Sequence, residues 1–189
     1  MPRLKEARVA YSIPGFGTAL PGSPLDGDQF ILTDSITAPT YTWLLRYVAA
    51  KASNKWVCIG GAPGYNMVAT FEARANAAYG ALATAGPSFA IPVAGDYDVA
   101  IGFTCDPNIA ANEVAIMSYD IGGTGAVDAD LAGVWANTAG TTYDITTTTH
   151  RRKTGLTAVT LTAKYRTELG GSMEFGNRWM QVTPVAIGG

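Results

Sequence analysis

The chain has 189 residues, enough for one domain or for one domain with a small appendage. Charged residues make up only 15% of it, glycine and threonine each number 22, and the formal net charge is −2. This composition excludes a disordered chain, a collagen, a disulfide scaffold and a coiled coil, and the charge argues against nucleic acid and anionic membranes as main partners.

Residues 1–27 are predicted to form an extended arm. Four prolines and four glycines interrupt this segment, which prevents a helix and favours a path rich in turns. The segment has too few large apolar side chains for a core of its own. We therefore expect the arm to become ordered against a partner surface.

Residues 28–61 predict a small β-meander of three short strands, at 30–32, 43–48 and 55–59, with a turn at 52–54. Trp43, Tyr47 and Trp56 are expected to share one face of this meander, where aromatic pairs across neighbouring strands stabilise the sheet. We interpret them as the core of the meander. The alternative is a platform on which a carbohydrate stacks.

The rest of the chain predicts an antiparallel β-sandwich. Residues 62–67 are interpreted as a hinge, and the alanine-rich stretch 73–85 as strand and loop. Apolar residues then alternate with polar ones in several short segments, and no long helix interrupts them. The predicted strands are at 68–72, 89–93, 96–103, 112–119, 141–149, 157–166 and 177–187. The predicted fold class is all-β: a small N-terminal β-meander followed by a jelly-roll-like antiparallel sandwich.

Cysteine and histidine are scarce. The chain has Cys58, Cys105 and a single histidine, His150, which can hardly assemble a zinc site. We expect no metal, no cofactor and no disulfide, because the two cysteines fall in different predicted cores and the N-terminus resembles no export signal. No apolar stretch is long enough to span a bilayer, so we expect synthesis in a cytoplasm and no membrane anchor.

Motifs for catalysis are weak. His150 lies on a threonine-rich strand beside basic residues, which is a poor setting for a Ser–His–Asp triad. Carboxylates are numerous, but no pair is singled out as a glycosidase requires. Asp128 and Asp130 are interpreted as solvated loop residues rather than calcium ligands. The sequence therefore predicts a protein that is not an enzyme.

One run of basic residues stands out, Arg151, Arg152 and Lys153. It has two interpretations. The run is either a solvated strand end or a patch that pairs with an acidic face of a neighbouring subunit.

Five segments carry a resemblance to a known group of proteins. They are LPGSPLDGDQFIL (20–32), WLLRYVAAKASNKWVCIGG (43–61), IPVAGDYDVAIGF (91–103), RKTGLT (152–157) and NRWMQVTPV (177–185). Their motifs P-x-x-P-x-D-G, W-x-L-R-Y, K-W-x-x-x-G-G and A-G-D-Y occur in the same order in virion structural proteins of tailed bacteriophages. The chain resembles this group, whose members are minor tail, fibre or head-decoration components. Its sandwich part also looks like the trimeric jelly rolls of the tumour-necrosis-factor type.

The resemblance implies a non-enzymatic structural protein of a phage particle, made in the bacterial host cytoplasm and located in the virion. Its expected partners are itself, as a homotrimer, and other virion proteins of the capsid or tail. Residues 1–64 would form the attachment module, and residues 65–189 the exposed sandwich that forms the trimer. The expected contacts of the arm are Arg3, Leu4, Lys5, Arg8, Val9 and Ile13.

Two other function classes remain open at this point. The first is a host-surface binding module for carbohydrate, for which exposed aromatic residues at loop tips are the expected sign. The candidates are Tyr65, Tyr79, Tyr119 and Tyr143. The second is an enzyme acting on a cell-surface polymer.

Overall fold

Two stacked β-sheets make up most of the protein. The computed structural model describes residues 13–106, 112–136 and 145–189. The predicted all-β class is confirmed, because the described residues form strands and one short 3-10 turn, Asp128–Asp130. In chain order the strands are β1 (Gly15–Gly17), β2 (Gln29–Thr33), β3 (Thr42–Tyr47), β4 (Trp56–Ala62), β5 (Gly64–Val68), β6 (Glu72–Arg74), β7 (Ser88–Ala90), β8 (Gly95–Asp106), β9 (Glu113–Ile121), β10 (Ala132–Ala136), β11 (Ile145–Leu156), β12 (Thr160–Thr167) and β13 (Met173–Ile187).

The long strands form because their side chains alternate between core and surface. In β8, four large apolar residues point inward and are fully buried: Tyr97, Val99, Ile101 and Phe103. The residues between them face the other side of the sheet, as the two-residue period of a strand requires. β12 and β13 show the same alternation. Burial of one apolar face per sheet produces the sandwich.

The strand order places β13 at the centre of the larger sheet. That sheet runs β1-β2-β3-β4-β13-β8-β11, and β5 and β6 also pair with β13. The smaller sheet runs β10-β9-β12-β7. Neighbours such as β13 and β8 are distant in sequence, as is common in antiparallel β-sandwiches.

The structure changes two details of the predicted N-terminal half. Residues 15–17 of the arm form a strand, β1, which pairs in parallel with β2. Residues 64–68 form β5 and pair with β13, so the predicted hinge at 62–67 is wrong.

The two predicted parts of the chain share a sheet and a core. β2, β3 and β4 pair in order and join the larger sheet through β13. Trp43 of β3 packs on Tyr97 of β8 with ring centroids 5.9 Å apart, within one continuous hydrophobic cluster. The expectation of different cores, on which the cysteine argument rested, is therefore wrong. The division of the chain into an attachment module, residues 1–64, and a sandwich domain, residues 65–189, stays a prediction.

A buried ion pair joins three parts of the core. Arg178 of β13 has no exposed surface. Its Nη1 donates to Glu72 Oε2 at 3.2 Å and lies 3.5 Å from the carbonyl of Thr84, and its guanidinium lies 5.4 Å from the ring centre of Tyr165. Glu72 also accepts a hydrogen bond from the Thr84 backbone at 2.8 Å. The pair thus fixes β6 and the segment before β7 to the central strand.

We expect Glu72→Ala to destabilise the protein by about 3 kcal/mol, because it leaves the Arg178 guanidinium buried without its counter-charge. Chemical denaturation measures this value. Glu72→Ala in an Arg178→Leu background should cost much less, since no buried charge then remains unpaired. Equal costs in both backgrounds would contradict the proposed coupling.

The buried carboxylate of Glu113 closes one end of the sandwich. It accepts hydrogen bonds from the backbone N–H groups of Val114 and Leu169 at 2.9 Å and of Gly171 at 2.6 Å. Burial alone would raise the pKa of this carboxyl, but the backbone donors outweigh burial and hold the pKa below its usual value. The ionised form therefore stabilises the turn between β12 and β13.

The Glu113 contribution to stability should depend on pH. Because its folded pKa is depressed, the contribution is complete above the unfolded value of about 4.3 and is lost as pH falls through the folded pKa. We expect wild type to exceed Glu113→Gln in unfolding free energy at pH 7, and this difference to shrink between about pH 5 and pH 3. Denaturation at several pH values checks this, and a constant difference would contradict it.

Candidate functional site

A groove of about 450 Å³ opens on the surface of the sandwich. It lies between the end of the arm, the loop that joins β2 and β3, and strands β5 and β7. The side chains that define it are Thr18, Asp34, Tyr41, Tyr65, Asn66, Ser88 and Phe89. Its volume is in the range of small-molecule sites, about 300–1,000 Å³.

The floor of the groove is aromatic and rigid. Tyr41 stacks on Trp43 with ring centroids 4.0 Å apart and planes 21° from parallel. Phe89 lies 5.9 Å from Tyr41, centroid to centroid. The backbone of β5 approaches Phe89 closely: a Cβ on Gly64 would lie 2.0 Å from the Phe89 ring. Only glycine fits there, so the floor and the β5 wall are packed directly together.

Asp34 is the carboxylate of the groove. Its Oδ1 accepts the backbone N–H of Thr40 at 2.8 Å, and its Oδ2 accepts the Thr40 hydroxyl at 2.6 Å. Desolvation would raise the pKa of Asp34, but the Thr40 donors outweigh it and hold the pKa below its usual value. Asp34 is therefore an anion at neutral pH and closes the loop 34–40.

Several uncharged polar groups face the same space. Desolvation, with the nearby Asp34 charge, raises the pKa of Tyr41 to about 12, so its hydroxyl keeps its proton. In residues 13–106, 112–136 and 145–189, the side chains of Tyr41, Asn66 and Ser88 form no hydrogen bond with one another or with other groups. They remain able to bind a ligand, and the described lining includes no Lys, Arg or His.

We expect Asp34→Ala to release the loop 34–40. The backbone N–H of Thr40 should exchange with solvent about tenfold faster or more, because it loses a charged acceptor. Hydrogen exchange read by NMR measures this. Asp26→Ala is the matched control, since Asp26 accepts the backbone N–H of Ala49 at 2.9 Å and should affect that amide instead. An unchanged Thr40 rate would refute the role of Asp34.

The outer surface of the larger sheet is a second candidate, here called the neutral face. Two rows of paired residues cross β11, β8, β13 and β5. The first row is Thr148, Gly102, Trp179 and Met67, and the second is His150, Ala100, Gln181 and Tyr65. Neither row contains Asp, Glu, Lys or Arg.

The neutral face is flat because an indole lies on a glycine. A Cβ on Gly102 would lie 2.7 Å from the six-membered ring of Trp179. The Trp179 ring is nearly parallel to that of Tyr65, with planes 25° apart and centroids at 6.3 Å. Tyr65 and Met67 remain 50% and 47% exposed. The face therefore presents aromatic and thioether groups to solvent, a pattern of interaction sites.

The basic run Arg151, Arg152 and Lys153 finds partners within the chain. Arg152 donates two hydrogen bonds to Asp98, from Nε and Nη2, both at 2.9 Å. Lys153 Nζ contacts Asp130 at 2.5 Å, and Arg151 Nε donates to the carbonyl of Ala129 at 3.0 Å. These contacts explain the run without a second subunit. Its role in a subunit contact stays a prediction.

Arm residues Arg3, Leu4, Lys5, Arg8 and Val9 lie outside the described residues, and the attachment role of the arm stays a prediction. Ile13 is 93% exposed.

The candidate tyrosines for carbohydrate binding differ in their exposure and contacts. Tyr119 is buried, and Tyr79 has its ring under the Arg166 guanidinium and its hydroxyl on Asp128. Tyr143 lies outside the described residues. Of the three candidates that the structure describes, Tyr65 is the one that is half-exposed and lines the groove.

The other candidates lie in the core or in ion pairs. Trp43 and Trp56 are buried and Tyr47 packs on Trp56, which supports their interpretation as core residues. Asp128 is exposed and pairs with Arg166, whereas Asp130 is buried and pairs with Lys153, so the interpretation of Asp130 as a solvated residue is wrong. No cluster of three metal-ligating side chains occurs in the described residues. Cys58 and Cys105 are not joined by a disulfide.

Sequence reasoning missed Asp34, Asn66 and Trp179 as candidate site residues. Asp34 directly follows β2, and Ser35, Thr37 and Pro39 come after it, which are residue types typical of turns and loops. No local sequence pattern indicates that Asn66 lines the same groove as Asp34, or that Trp179 lies against Tyr65 on the neutral face.

No protein-family model matches the chain, and no curated protein matches it. The described residues contain no helix long and apolar enough to cross a membrane.

Proposed function

We propose that the protein is a non-enzymatic structural component of a bacteriophage particle, on the tail or fibre or as a capsid decoration, and that it assembles as a homotrimer through the neutral face. The observation that carries the association is the two uncharged rows around Trp179 and Tyr65. The resemblance to virion structural proteins, which extends over residues 20–185, supports the particle as its location.

The neutral face suits self-association physically. Burial of exposed aromatic and thioether groups supplies the main favourable free energy of protein association. The two rows of the face carry no formal charge. Association therefore avoids the unfavourable free energy of removing a charge from water. A closed ring of identical subunits buries such a face in every copy. The subunit number of three follows from the likeness to trimeric jelly rolls.

The chemistry of the groove supports a role without catalysis. Of the described residues that line it, Asp34 is the one carboxylate, and a glycosidase needs two flanking the bond. Asp34 is also held ionised by Thr40, so it is poorly suited to donate a proton at neutral pH.

The location on the particle is tested by immuno-electron microscopy. An antibody against the purified chain should label intact particles produced by the phage or lysogen that encodes this sequence. Label on the tail or fibre and label on the capsid both support a virion component and distinguish its two positions. Particles without label, confirmed by mass spectrometry of purified virions, would overturn the proposal.

We expect Thr148→Glu to convert the homotrimer to monomers. The substitution places a carboxylate beside Gly102 at the β11 edge of the neutral face, where association would bury it without a partner. Sedimentation velocity at micromolar concentration measures the change, and circular dichroism verifies the fold.

The matched control is Thr160→Glu, an exposed threonine on a strand of the smaller sheet. This variant should stay trimeric. A monomeric wild type, or a trimeric Thr148→Glu variant, would overturn association through the neutral face.

A further inference from the structure

We propose that the groove bounded by Asp34, Tyr41, Tyr65 and Asn66 binds an uncharged saccharide unit. This inference does not depend on the proposed phage function, because it rests on the groove alone. Neither the association of subunits nor a position in a virion is needed for it.

The polar groups of the groove match the chemistry of a sugar. A pyranose presents several hydroxyl groups, each both donor and acceptor. Asp34 offers an ionised acceptor, Asn66 offers an amide donor and acceptor, and Tyr41 offers a protonated hydroxyl. Ionised acceptors form the stronger hydrogen bonds, so Asp34 should fix the sugar's orientation.

The aromatic groups match the apolar face of the same ring. Tyr65 is half-exposed at the groove, and its ring is held against Trp179 on one side. Tyr41 and Phe89 form a packed floor that cannot collapse into the space, because Tyr41 rests on Trp43. The site is therefore preformed, and binding does not require ordering of these side chains.

Charge selects among saccharides. The groove has the Asp34 carboxylate and, among its described lining residues, no cation to balance an incoming acid. A sialic acid, a uronic acid or a phosphorylated sugar would bring a second negative charge to this site and be repelled. The expected ligand is thus a neutral hexose or N-acetylhexosamine unit.

A glycan array tests the inference with the full-length protein. The array carries neutral hexose- and N-acetylhexosamine-terminated oligosaccharides beside their sialylated and uronate-bearing counterparts. Neutral probes should bind at least tenfold better than acidic ones. Titration of the best neutral probe, followed by NMR, should shift the Asn66 side-chain amide.

Two substitutions locate the site. Asp34→Asn keeps an oxygen for Thr40 and removes the charge, and it should weaken binding about tenfold through loss of a charged acceptor. Asp26→Asn is the matched control, since Asp26 also accepts a backbone N–H but lies outside the groove. This variant should bind the saccharide as tightly as wild type does.

Three results would overturn the inference. They are no binding of any neutral probe, equal binding of neutral and acidic probes, or unchanged binding by Asp34→Asn. Because Tyr65 belongs to the neutral face as well as to the groove, a docked subunit would cover part of it. The array is therefore repeated with the Thr148→Glu variant, which should bind the neutral probes without the subunit contact. Failure of the saccharide inference and failure of the proposed association are thus distinguishable.

Discussion

The guanidinium of Arg178 constrains much of the structure around it. A cation without exposed surface must have its counter-charge close by, so Glu72 has to lie beside β13. Glu72 in turn holds Thr84, and the Tyr165 hydroxyl donates to the carbonyl of Gly86 at 2.6 Å. These contacts set the path of the chain into β7. The groove owes part of its floor to this path, because Phe89 of β7 lies in that floor.

The two candidate surfaces meet at one residue. Tyr65 belongs to the neutral face through Trp179 and to the groove through its position beside Asn66. β5 can serve both surfaces because it pairs with β13 along one edge and contacts β7 on the other side. A subunit docked on the neutral face would therefore lie next to the groove, and a ligand there would be held near the contact.

The strands that could be predicted from the sequence are those with a clear local alternation of apolar and polar residues. β8 was found because its apolar and polar residues alternate over 96–103, whereas β5 was read as a hinge because Pro63 and Gly64 suggest a break. β10 was missed because Ala132 to Ala136 is short and mixed in character. Asp34 and Asn66 come from distant segments, and no local pattern reports their meeting. The partner of Arg152, Asp98, is likewise 54 residues away.

The few charged residues of this protein contribute to its fold through contacts within the chain. Only 15% of the residues are charged, and several of these charges are used inside the chain. Glu113 accepts hydrogen bonds from backbone N–H groups, Arg178 pairs with Glu72, and the buried Asp130 pairs with Lys153. These charges hold turns and sheets in place, and none of them belongs to the two rows of the neutral face on the outer side of the larger sheet. An uncharged outer face is thus compatible with a specific fold, because specificity is supplied by ionic and hydrogen-bonded contacts elsewhere in the chain.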